Sequence, residues 1–90
     1  MVVVVAIAKL VEGKGEEYEE EFKKVAPRVR KELGVITYVL QRSIKNPNQF
    51  LWYEKYESDE AFKDHMVSPL HKQFQKNTGR FVLDASIDLY

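Results

Sequence analysis

The opening run Val2 to Val11, VVVVAIAKLV, leaves this chain few folds to choose from. A largely β-branched stretch broken only by Lys9 has no alternation of wet and dry positions, so it reads as a strand that is apolar on both faces. Only two later stretches carry helical periodicity, and two helices can cover just one face of a sheet. The other face is left apolar and uncovered, and apolar surface on that scale marks an interface. The run is far too short to span a bilayer, and no basic segment precedes it as in a secretion signal, so a cytoplasmic protein is expected.

From about Glu16 to Leu33 the residues Tyr18, Phe22, Val25, Val29 and Leu33 recur every three or four positions, which predicts a helix with one buried stripe. Acidic residues crowd its start and Arg28, Arg30 and Lys31 its end, complementing the helix dipole, with Glu19–Lys23 and Glu20–Lys24 as i,i+4 pairs. Gly34 is placed to stop the helix, while Pro27 removes one ladder bond and predicts a kink near Lys23. Val35 to Ile44 and Phe50 to Tyr56 read as a hairpin around the turn Lys45-Asn46-Pro47-Asn48. Ser58 sits where an N-cap belongs, ahead of Asp59 and Glu60. Ser68-Pro69 restarts the second helix on a new axis, to end at Thr78-Gly79. Arg80 to Tyr90 is a final alternating strand, with Phe81, Leu83, Ala85, Ile87 and Leu89 on one face.

The order βαββαβ is that of a ferredoxin-like α+β domain spanning residues 1–90, an antiparallel sheet with its helices on one side. Its uncovered face predicts a homodimer in which two sheets pack face to face, closing towards an α/β barrel.

Charge and composition narrow the function classes. Fourteen basic residues balance fourteen acidic ones, so there is no electrostatic footprint for nucleic acid or an anionic membrane. With no cysteine there is no disulfide framework, thiolate metal site or cysteine nucleophile. No glycine-rich phosphate loop or dinucleotide fingerprint is present, and no serine has a triad context. No cofactor is therefore expected.

Chemistry concentrates between Phe50 and Phe74, which hold the single tryptophan and both histidines. A period of two puts Phe50, Trp52, Glu54 and Tyr56 on one strand face. On the following helix, Ala61 and His65 share one side, as do Phe62 and Met66. His65 is a candidate general base, with Glu54 to orient its ring. Two bland alternatives stand beside this: His65 as a capping or surface residue, and Glu54 as a structural carboxylate paired with Arg42 or Lys55. Tyr38, Trp52, Phe62, Phe74 and Phe81 are candidate walls of a small-molecule pocket between helices and sheet, or simply core. His71 lies six residues beyond His65 across a proline break, without helical metal-ligand spacing, so no metal site is expected.

The string Trp52, Glu54, Tyr56, Ser58, Ala61, Phe62 and His65 (W-x-E-x-Y-x-S-x-x-A-F-x-x-H) resembles the antibiotic biosynthesis monooxygenase family. Ser68-Pro69-Leu70 with Phe74, and Gly34 ahead of Tyr38, extend the likeness along the chain. The resemblance implies a dimeric α/β barrel and places Trp52 in the site. It points to cofactor-independent monooxygenation of a quinol or polyphenol to a quinone by dioxygen, with His65 as base and Trp52 positioning the ring. Haem-degrading relatives are similar, but they carry tryptophan where this chain has His65, a ligating histidine near Gln75 and an asparagine near Ala8. All three departures disfavour haem. Proton-transfer isomerisation of a small signalling metabolite and non-catalytic ligand binding are the other expectations this scaffold leaves open.

Overall fold

A computed structural model describes all of residues 1–90. The elements are β1 (Val2–Leu10), α1 (Gly15–Val29), β2 (Val35–Arg42), β3 (Gln49–Tyr56), α2 (Asp59–Met66), α3 (Pro69–Thr78) and β4 (Val82–Leu89), with a 3₁₀ turn at Gly79–Phe81. The strands form one sheet in the order β2-β3-β1-β4, every neighbouring pair antiparallel. This is the ferredoxin-like arrangement, its second helix divided at Ser68-Pro69 where the sequence indicates a restart.

Local chemistry accounts for the boundaries. Ser58 caps α2 by accepting the Ala61 N–H at 3.1 Å, and Ser68 caps α3 by accepting the His71 N–H at 3.3 Å. Proline at the first position of α3 costs nothing, because its missing N–H has no partner there in any helix. α1 stops at Val29, a turn short of the expected Leu33, and Leu33 is 92% exposed rather than part of the buried stripe. The charged pairs on α1 form at i,i+3 spacing, Glu20–Lys23 and Glu21–Lys24, while Glu19 reaches Arg42 at 3.1 Å instead of Lys23.

Residues 30–34 carry the chain from α1 into β2. The Arg30 guanidinium donates twice to the Tyr38 carbonyl, at 2.8 and 3.2 Å, and ties this turn to the strand beside it. Gly34 has φ +84°, a left-handed conformation that a side chain would strain. A Cβ there would also lie 2.5 Å from that of Ala61, so glycine lets α2 press against the turn.

The core fills the space between helices and sheet. Phe22 stacks on Tyr38 with centroids 5.4 Å apart, and Trp52 meets Phe22 and Phe74 edge-on at 5.4 Å each. Phe50 and Tyr56 are fully buried on the same face of β3 as Trp52, as the period of two requires.

β4 departs from expectation at its start. Phe81 lies in the 3₁₀ turn, and the β1–β4 register passes from Lys9–Asp84 to Leu10–Val82, skipping Leu83. This bulge breaks the alternation, so Phe81 and Leu83 do not continue the face of Ala85, Ile87 and Leu89. Those last residues pair opposite Ala8, Ala6 and Val4 on the helix side of the sheet, yet Ile87 and Leu89 remain exposed because no helix packs extensively over β4.

Candidate active site

A cavity of about 520 Å³ lies between the helices and the sheet, in the range of small-molecule sites. Its floor is formed by Ala6 and Ala8 of β1 and Ala85 of β4, small residues that leave open the space larger ones would fill. Its walls are Tyr18 of α1, Tyr38 of β2, Trp52 and Glu54 of β3, Phe62 and His65 of α2, and His71 and Phe74 of α3.

His65 is the best-defined of these. Its side chain is 2% exposed, and Nδ1 lies 2.8 Å from a carboxylate oxygen of Glu32, in the turn after α1. An ionised carboxylate only accepts, so Nδ1 carries the hydrogen, and in the neutral ring Nε2 keeps its lone pair. No protein group bonds Nε2, and no buried side-chain nitrogen or oxygen lacks a partner, so Nε2 must open onto the cavity. A histidine with one nitrogen anchored and the other free is arranged as a proton acceptor.

Glu32 therefore takes the orienting role that the sequence suggests for Glu54, and it arrives through backbone geometry. Its N–H bonds the Val29 carbonyl at 2.9 Å, and the close approach at Gly34 sets the turn against Ala61, one helical turn before His65. Glu54 instead accepts the Tyr56 hydroxyl hydrogen. It forms no pair with Arg42, which is taken up by Glu19 and the Pro47 carbonyl, nor with Lys55. Burial raises the Glu54 pKa, against the lowering effects of the Tyr56 hydrogen bond and the nearby His65 charge.

Trp52 does not offer its indole N–H to a ligand, since Nε1 donates to the Tyr18 hydroxyl at 3.0 Å. What Trp52 presents is ring surface. The hydroxyls of Tyr18 and Tyr38 are the polar groups beside it. Burial pushes the Tyr18 pKa up to about 12 and raises that of Tyr38 further, so both remain neutral donors near pH 7.

Of the residues singled out from sequence, Tyr38, Trp52, Glu54, Phe62, His65 and Phe74 line the cavity. Phe81 does not; it is buried beneath Lys14 and Arg80, whose cations lie 5.4 and 4.6 Å from its ring centroid. Three groups at the site are not among the pocket or catalytic candidates of the sequence: Glu32, Tyr18 and His71. Tyr18 was visible only as one member of a helical stripe. His71 comes within 5.1 Å of His65, ring centroid to ring centroid. No cluster of three or more histidine, cysteine, aspartate or glutamate side chains is placed to hold a metal.

Comparison with known proteins agrees with this architecture. A family model described as antibiotic biosynthesis monooxygenase matches residues 1–77. A candidate antibiotic biosynthesis monooxygenase from Nitrosomonas europaea superposes with a TM-score of 0.94 at 18% identity, covering 100% of this chain and 96% of that one. A similar candidate from Caulobacter crescentus CB15 gives 0.92 at 27% identity over 99% of this chain and 86% of its own. One from Deinococcus radiodurans gives 0.89 at 21% identity, covering 100% and 90%. No curated protein matches the sequence.

Proposed function

The chain belongs to the antibiotic biosynthesis monooxygenase family, and we propose that it oxidises a small quinol or polyphenol to a quinone without a cofactor. The observation that carries this reading is the anchored His65, whose free Nε2 opens onto an aromatic cavity of about 520 Å³. Nε2 takes a phenolic proton from the substrate. The resulting anion is electron-rich enough to reduce dioxygen directly. One oxygen atom enters the ring and the other leaves as water, with all four electrons supplied by the substrate. Trp52 and Phe74 hold the ring flat, and the Tyr18 and Tyr38 hydroxyls donate to its oxygens as charge develops.

The protein acts in this reading as a cytoplasmic homodimer. Val5 pairs with Tyr53 and Tyr53 with Val39, while Ile7 pairs with Leu51, so these side chains gather on the sheet face away from the helices. With Leu51 and Tyr53 each 38% exposed, that face suits a second copy of the chain.

Oxygen uptake by metal-stripped protein with a panel of quinols and polyphenols tests the reaction. Uptake that forms quinone, requires the wild-type protein and drops in His65→Ala supports it. Equal uptake by wild type, variant and a protein-free blank defeats it.

A further inference from the structure

The cavity wall contains two imidazoles rather than one. His65 ends the last full turn of α2, His71 sits in the first turn of α3, and their ring centroids are 5.1 Å apart at an interplanar angle of 61°. The Ser68-Pro69 break makes this possible. The Ser68 N–H bonds the His65 carbonyl at 3.0 Å while the Ser68 hydroxyl accepts the His71 N–H at 3.3 Å, so one residue ties both backbones into the same corner. His65 is nearly inaccessible, whereas His71 is half-buried and its ring bonds no protein group.

A base as deeply buried as His65, its side chain 2% exposed, has to lose the proton it takes before the next turnover. Glu32 holds Nδ1, whereas the substrate proton arrives on Nε2 at the other side of the ring. We propose that His71 is the second member of a proton relay: His65 takes the substrate proton, passes it to His71 directly or through one water, and His71 releases it to solvent. This rests on His65 acting as the base in the reaction above.

The charged and titratable groups facing the pair are Glu32 from the turn after α1, Tyr38 from β2, and Glu54 and Tyr56 from β3. Burial first, and then the like charge of His65, hold the His71 pKa below the ordinary histidine value, against the raising pull of Glu32. His71 is thus neutral, and free to accept, when His65 becomes charged. Two protons on the pair are disfavoured, which drives release rather than storage.

Turnover by His71→Gln and His71→Phe in dilute buffer tests the relay. The expected result is a kcat lower by about tenfold or more with KM unchanged, restored by added imidazole, which can replace a missing carrier but not a lost fold. His65→Gln should not be restored in this way. Wild-type kcat in both His71 variants, or a loss that imidazole leaves untouched, overturns the relay. A second measurement needs no turnover: the NMR titration of His71 should lie below the ordinary histidine range and move up in His65→Gln. An identical His71 titration in both proteins overturns the coupling. A wild type that consumes no oxygen while that titration still moves defeats the monooxygenase reading and supports the coupled pair.

Discussion

The Glu32 carboxylate meets Nδ1 of His65 at 2.8 Å across a sequence separation of 33 residues, joining the turn after α1 to the end of α2. This contact decides which nitrogen of His65 is free, and so links the fold to the chemistry proposed for it. Replacing Glu32 by glutamine keeps an acceptor near Nδ1 but removes the charge that stabilises the imidazolium. We expect kcat for quinol oxidation to fall by roughly tenfold, a fraction of what general-base catalysis supplies, with KM little changed. Glu32→Ala should additionally cost about 1–3 kcal/mol of stability, since it strands a buried donor. Steady-state kinetics and denaturant unfolding of both variants check this, and an effect on KM alone would mean that Glu32 serves binding.

Glu54 carries a stability signature of its own. Its pKa is raised in the fold, mainly by burial, so the native state keeps the proton after the unfolded chain has lost it. Its contribution is fully present below the ordinary carboxylate value of 4.5 and is lost as pH rises through the folded value. Glu54→Gln cannot ionise. Its stability relative to wild type should therefore increase as pH rises from 4.5 towards neutrality. Urea midpoints for both proteins across that interval would reveal it, and a difference independent of pH would count against a raised Glu54 pKa.

The parts legible in the sequence are those fixed within a few residues. Ser58 and Ser68 cap their helices through contacts three positions on, and Trp52, Glu54 and Tyr56 share a face by strand pleat alone. Glu32 was illegible because nothing local distinguishes it from the many glutamates around it; only the folded turn brings it to His65. His71 stands at a spacing from His65 that separates two side chains on a continuous helix, whereas the Ser68-Pro69 break folds α3 back so that the rings meet. Leu33 continued the periodicity of a helix that had already ended, and the skipped Leu83 shows how one bulge ends an alternation that looks regular on paper.

Tyr18 and Trp52 form a second long-range contact, indole N–H to hydroxyl at 3.0 Å. Tyr18→Phe keeps the ring packing but leaves the indole donor buried and unpaired, which should cost about 1–3 kcal/mol. Because the chain has one tryptophan, its emission reports this site without ambiguity. A changed emission maximum together with a lower denaturation midpoint is expected. An unaltered spectrum at wild-type stability would mean that the hydrogen bond contributes nothing.

Gly34 links backbone conformation to the site. Its φ of +84° disfavours any side chain, and an added Cβ would lie 2.5 Å from that of Ala61. The strained backbone alone costs on the order of 1–3 kcal/mol. Relief requires α2 to move off the turn, and α2 carries His65 while the turn carries Glu32. Gly34→Ala should thus lower stability and turnover together. A ring-shift measurement on His65 separates the two effects: a wild-type resonance in the folded variant would show that the Glu32 contact survives and that only stability was lost.

The floor of the cavity offers a test of ligand size that spares the core. Ala85 faces the cavity opposite Ala8 yet is exposed, because no helix packs extensively over β4. A larger side chain at this position therefore enters open space instead of forcing packed atoms apart, and overpacking costs do not arise. Ala85→Phe should fill part of the 520 Å³ volume, raise KM for two-ring quinols more than for one-ring quinols, and leave the thermal midpoint near that of wild type. Binding titrations with one- and two-ring ligands distinguish the outcomes. Equal affinity for both sizes in wild type and variant would place the ligand away from β4, against the tyrosine and histidine wall alone.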